Sequence, residues 1–180
     1  MKKHAIVMAL LSAGLMTQAV NAAPASSMLE WRGFVSGAFD GTDIGLTGLG
    51  GGDIQMGELN VDSDGAFSSA RPIVVEAHAI DDSGTEPVVS EEMYGDSEVA
   101  WSISSTQVSP AAYDLASVQV LMNGEPMVTG TPVTTPAARN VAAFSVSSPA
   151  STDVDALIPG DAVSVTTLIF AEPSVAAPGR

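Results

Sequence analysis

Few side chains in this sequence could act as an acid, a base or a nucleophile. The 180 residues contain no cysteine, which excludes thiol catalysis and thiolate metal sites. His78 stands in the apolar run Pro72–Ile80, where strand alternation places it on the same face as Glu76. A histidine base also needs a positioned nucleophile or carboxylate, and the acid pairs Asp81–Asp82 and Glu91–Glu92 are unspecific in so acidic a chain. The sequence therefore predicts no catalytic residue, no cofactor and no enzyme.

One segment has the spacing of a calcium loop. Asn60, Asp62 and Asp64 alternate as oxygen ligands do in the first half of an EF-hand loop, and Gly65 follows at the sharp turn. The position of the bidentate glutamate is taken by Arg71, a cation. These three residues are a weak candidate for a metal site, and the alternative interpretation is an acidic turn between two strands.

The aromatic residues are the candidates for contact with a carbohydrate. Trp31 and Trp101 lie in alternating strand-like segments, which favours packing in the core. Tyr94 lies in the acidic segment Glu91–Asp96, and we expect it to be the exposed aromatic that faces a ligand. The glycine-rich run Gly48–Gly52 lacks the lysine and the helix of a phosphate loop, so it is interpreted as a hairpin connection.

The N-terminus is typical of an exported protein. Lys2 and Lys3 precede the apolar run Ala5–Met16, which is too short to span a bilayer, and small residues around Ala22 suit signal peptidase. We therefore expect a signal peptide over residues 1–22, and no later segment is apolar enough to predict a membrane span. The net charge of the full chain is −15, which disfavours nucleic acid and anionic lipid as partners.

The remaining pattern predicts many short strands. Runs rich in Val, Ile, Phe and Trp are separated at short intervals by Gly, Pro, Ser and Asp, and Asn123–Gly124 favours a tight hairpin turn. The predicted fold is all-β, an Ig-like antiparallel sandwich that is either complete or completed by a donor strand. The predicted organisation is a flexible tail over 23–27, a sandwich over 28–171 and a second flexible tail over 172–180.

Two stretches carry a resemblance to a known family. Leu29–Val35 (LEWRGFV) is an alternating strand with a central glycine, and Pro159–Ile169 (PGDAVSVTTLI) is a Pro-Gly-Asp turn that opens an alternating terminal strand. With the signal peptide and the absence of cysteine, the chain resembles bacterial fimbrial (pilin) subunits, in particular cysteine-free subunits of chaperone–usher pili. The resemblance lies in the overall organisation of residues 23–180, and the local motifs that carry it are not specific.

The resemblance implies a structural or adhesive subunit that is assembled by β-strand complementation. Its partners would be other fimbrial subunits, a periplasmic chaperone and an outer-membrane usher, and it would pass through the periplasm to the fimbrium at the cell surface. The residues expected to fill a neighbour's groove are Leu29, Trp31 and Val35, with Gly33 allowing close backbone approach. The alternatives are a secreted β-sandwich module that binds carbohydrate or a surface, and a structural protein of the biofilm matrix.

Overall fold

The computed structural model describes residues 41, 43–111, 113–137, 139–149, 160 and 162–174, all within a unit that spans Gly33–Arg180. These residues form an antiparallel β-sandwich, as the sequence predicts. The strands are β1 (Ile44–Thr47), β2 (Leu59–Val61), β3 (Phe67–Ser69), β4 (Ile73–Asp81), β5 (Val88–Met93), β6 (Val99–Ser109), β7 (Gln119–Met122), β8 (Glu125–Pro126), β9 (Val133–Thr135), β10 (Val141–Ser148) and β11 (Ser164–Pro173). Single 3₁₀ turns occur at Leu49–Gly51 and Leu115–Ser117.

The larger sheet has eight strands and is built around β4 and β10. Glu76 pairs with both β1 and β10, and His78 pairs with both β1 and β5, so β1 occupies one edge of β4 while β10 and β5 share the other. In the same way β10 has β7 on one edge and shares its other edge between β4 and β3. The smaller sheet has the order β11–β6–β9.

The core lies between the two sheets because alternate residues of their strands face inward. Val75 and Ala77 of β4 pack with Trp101 of β6 and Phe144 of β10, and Trp101 is fully buried. The rings of Trp101 and Phe144 meet edge to face, with centroids 5.8 Å apart. The expectation that Trp101 is a core residue is confirmed.

A chain of buried polar groups crosses this core. The Trp101 indole N–H donates to Thr135 Oγ1 at 2.8 Å, and the Thr135 hydroxyl donates to Asn140 Oδ1 at 3.1 Å. The Asn140 amide in turn donates to the carbonyl of Tyr94. The three members Trp101, Thr135 and Asn140 are each at most 4% exposed, so the network replaces water as their hydrogen-bond partner.

Several predicted boundaries shift. The Asn123–Gly124 turn is confirmed, with φ of 53° and 88°, and it joins β7 to the two-residue strand β8. The acidic segment Glu91–Asp96, in which Tyr94 was expected to be exposed, begins with the last three residues of β5. The last strand continues to Pro173, and the Ser174 amide donates to Glu98 O, so residues 172–174 belong to the sheet rather than to a tail.

Candidate strand-acceptor site

The smaller sheet is dominated by a long two-stranded ribbon. β6 and β11 pair from Val99 opposite Pro173 to Ser109 opposite Ser164, with one bulge between Leu168 and Ile169. The ribbon carries one charged residue, Glu172, in an otherwise strongly acidic chain. Its surface therefore consists of backbone groups and uncharged side chains, both apolar and polar.

Both outer edges of this ribbon are open over most of their length in the part of the chain that the structure describes. β9 pairs with β6 only from Val99 to Trp101, and beyond it the amide of Gly130 donates to Ile103 O at 3.0 Å. Among the described residues β11 forms strand pairs only with β6, and β1 of the larger sheet lies close to it without pairing. An open strand edge presents unpaired N–H and C=O groups, which is a template for the addition of another strand.

The side chains of β11 divide cleanly between the two faces of the sheet. Ile169 and Ala171 lie opposite Ile103 and Trp101, and both pack against the core. The residues between and before them point the other way, so Leu168 is 46% exposed and Phe170 is 47% exposed. The open edge is therefore bordered by apolar side chains on both faces.

The length of β11 distinguishes it from the other edge strands. Protein sheets usually protect an edge by keeping it short or by adding charge, proline or a bulge. The edge strands β2 and β9 have three residues, β1 has four and β8 has two, one of them a proline. The edge strand β5 has six residues, two of them glutamate. β11 has ten residues, and from Ser164 to Ala171 none is charged. We define the outer edge of β11 as the acceptor edge.

The residues predicted to supply a donor strand, Leu29, Trp31, Gly33 and Val35, lie outside the described residues. Tyr94 is placed, and the expectation that it is exposed is wrong. It is 7% exposed and belongs to the core cluster, and it directly follows β5, where its amide donates to Ala77 O of β4 at 2.9 Å. The other tyrosine, Tyr113, is also buried, and its hydroxyl donates to Gly65 O at 2.8 Å.

The calcium-loop candidate is the turn between β2 and β3. Asn60 lies in β2 opposite Ser68, and the Asp62 amide donates to Ala66 O at 2.8 Å. The Asp64 carboxylate accepts from the Ala66 amide at 3.0 Å, and Gly65 has φ of 83°. These contacts match the alternative interpretation as an acidic turn. Among the described residues no three His, Cys, Asp or Glu side chains are grouped as metal ligands.

A buried polar cluster on the outer face of β4 was not predicted. Glu76 and His78 share that face as expected, but they are only 7% and 3% exposed. Glu76 Oε2 accepts from the amides of Gly50 at 2.9 Å and Gly51 at 3.1 Å, and it lies 3.2 Å from His78 Nε2. Burial raises the pKa of Glu76, but the hydrogen bonds from Gly50, His78 and Gly51 together hold it below its ordinary value. The Glu-x-His spacing and the glycine run were the available signals.

Comparison with known proteins adds no relative from which a function could be inferred. The sequence matches no protein-family model and no curated protein. Among the described residues, no helix has the length and apolar character needed to cross a membrane.

Proposed function

We propose that this protein is a structural or adhesive subunit of a bacterial surface fimbria, and that subunits join by adding a strand to the acceptor edge of β11. The single observation that carries the proposal is the ten-residue, nearly charge-free edge with exposed Leu168 and Phe170 beside it. A long uncharged edge is an aggregation liability in a soluble monomer, and strand addition converts it into a specific contact.

The donor is the segment Leu29–Val35 of a second copy. Its alternation brings Leu29, Trp31, Gly33 and Val35 to one face, as an added strand requires. Seven residues in extended form cover about 23 Å, against about 33 Å for the ten residues of β11. The donor would thus cover about two thirds of the acceptor edge.

The proposed chaperone and usher are partners that an exported subunit would need. A chain with an exposed edge needs protection between secretion and assembly, which is the role that a periplasmic chaperone and an outer-membrane usher would serve. The alternative, a secreted carbohydrate-binding module, has less support, because Trp101, Tyr94 and Tyr113 are all buried. Phe170 is the one strongly exposed aromatic side chain among the described residues.

The test compares three exported proteins by size-exclusion chromatography with light scattering. The first is the chain itself, and the second carries a flexible linker and a second copy of Met28–Ser36 after Arg180. The third is a matched control, in which the added copy has Leu29→Ser, Trp31→Ser and Val35→Ser. We expect the chain and the control fusion to polymerise or aggregate, and the donor fusion to be a monomer.

A plain chain that is a stable monomer, with no further stabilisation in the donor fusion, would overturn the proposal. Glycan screening would then test the alternative, with Phe170→Ser as the first variant. If the donor and control fusions are equally monomeric, the added linker rather than the apolar donor residues is responsible, and the assignment of Leu29–Val35 fails.

A further inference from the structure

The alternation of β11 makes the acceptor edge complementary to a second copy of itself. In an antiparallel pair of strands, residues that lie directly opposite each other point to the same face of the sheet. The exposed face of β11 carries its even-numbered residues, among them Leu168 and Phe170, whereas Ile169 and Ala171 face the core. Two copies related by a two-fold axis keep these faces aligned when one residue of β11 lies opposite its own copy.

The residue that best fits this central position is Leu168. With Leu168 opposite Leu168 of the second copy, every residue of β11 except Pro173 is paired, and Thr166 lies opposite Phe170. An aromatic side chain opposite a β-branched one is a favourable cross-strand pair. A centre at Ile169 would bring Pro173, which has no N–H, into the ladder, and a centre at Thr167 would leave Ala171 to Pro173 unpaired.

This side of the sandwich also lacks the charge that keeps copies of the chain apart. The first eight residues of β11 are uncharged, and so is the strand β1, which lies close to β11 at the edge of the other sheet. The nearest charges along these two strands are Glu172 and, before β1, Asp43. In the Leu168-centred register the two copies of Glu172 lie eight residues apart along the strands. That is about 27 Å, against a screening length of about 8 Å at physiological salt.

We propose that two copies of the chain pair edge to edge through β11, with Leu168 opposite itself across a two-fold axis, and that this β11 pair closes the acceptor edge to a donor strand. The β11 pair joins the two smaller sheets into one, and it brings the exposed Leu168 and Phe170 of both copies into one apolar stripe. One strand edge holds one partner, so the β11 pair and a donor strand exclude each other. This exclusion rests on the proposed function, whereas the pairing itself does not.

The first experiment removes the proposed donor from the full chain with Leu29→Ser, Trp31→Ser and Val35→Ser. By size-exclusion chromatography with light scattering, we expect this donor-defective chain to have the mass of two chains. Adding Leu168→Lys should reduce it to the mass of one, because like charges then lie directly opposite each other. Val128→Lys is the matched control, since Val128 is also exposed and lies outside β11, and it should leave the dimer intact.

The second experiment measures the register. The chain contains no cysteine, so cysteines placed in β11 are the only thiols present. Under mild oxidation, Leu168→Cys should cross-link two copies, because directly opposite Cα atoms lie about 4.5–5.5 Å apart, within the range of a disulfide. Thr166→Cys alone should not cross-link, because its two copies are offset by about 14 Å along the strands. Thr166→Cys combined with Phe170→Cys should.

The β11 pair is overturned by a monomeric donor-defective chain, by a dimer that survives Leu168→Lys, or by cross-linking at Thr166 as readily as at Leu168. Urea unfolding followed by Trp101 fluorescence checks that the donor-defective chain is folded. If it is not, Gly33→Asp alone replaces the three serines. A donor-defective chain that still polymerises contradicts the assignment of Leu29–Val35 in the proposed function, and the cysteine pattern then decides on the β11 pair by itself.

Discussion

Replacing Thr135 by valine tests the buried network that joins β6 to β9. The two side chains have nearly the same shape, so the variant removes the hydroxyl and little else. That hydroxyl accepts from the Trp101 indole N–H and donates to Asn140 Oδ1, and both partners are fully buried. Each buried group left without a partner costs about 1–3 kcal/mol, so we expect Thr135→Val to lower the free energy of unfolding by about 2–6 kcal/mol.

Thr135→Ser is the matched control, because it retains the hydroxyl and removes one buried methyl group. Its expected cost is about 1 kcal/mol. Urea unfolding followed by tryptophan fluorescence gives both values, provided that the slope with urea is the same in all three proteins. If Thr135→Val is no less stable than Thr135→Ser, the hydroxyl is not bridging two buried groups and the reasoning fails.

Two further changes follow from particular contacts. The pKa of Glu76 is lowered in the folded state, so its charged carboxylate stabilises the fold. This stabilisation is complete above the ordinary glutamate pKa and is lost as pH falls through the lowered value. The stability difference between the wild type and Glu76→Gln should therefore shrink on acidification, as measured by urea unfolding at each pH; a constant difference would contradict this. Gly124→Ala should cost about 1–2 kcal/mol, because φ is 88° there and no atom lies near the added methyl group. An unchanged melting temperature would contradict that prediction.

The sequence was sufficient for the fold class because alternation is a local signal. The first half of β6 alternates between buried and half-buried residues, β4 begins with the short apolar run Ile73–Val75, and Asn123–Gly124 has the residues that a tight hairpin turn requires. β5 was missed because three of its six residues are Ser, Glu and Glu, which resemble a loop when pairing is unknown. β4 supplies that pairing, with Asp81 opposite Val88 and His78 opposite Met93.

The candidate sites depended on contacts between distant parts of the chain, which a single sequence does not contain. Tyr94 has acidic neighbours and therefore resembled a surface residue, but its carbonyl accepts from Asn140 and its ring is buried. The terminal strand was predictable from its alternation, whereas its position at an edge follows from pairing with β6 alone. Similarly, the glycine run indicated a turn, but it did not indicate that the Glu76 carboxylate would accept hydrogen bonds from the amides of that turn.

The charge of the chain and the composition of the ribbon together favour a specific contact at β11. A net charge of −15 makes copies of the chain repel one another, and this repulsion acts wherever acidic surfaces meet. It is weakest where charge is missing, and β6 and the first eight residues of β11 contain none. In the proposed strand addition, two copies would approach with least repulsion along the acceptor edge. There the backbone of β11 has no strand partner other than β6 among the described residues, and the side chains of Leu168 and Phe170 are exposed. Added salt should therefore weaken the preference for contact at this edge over contact at the remaining surface, because screening reduces the repulsion elsewhere.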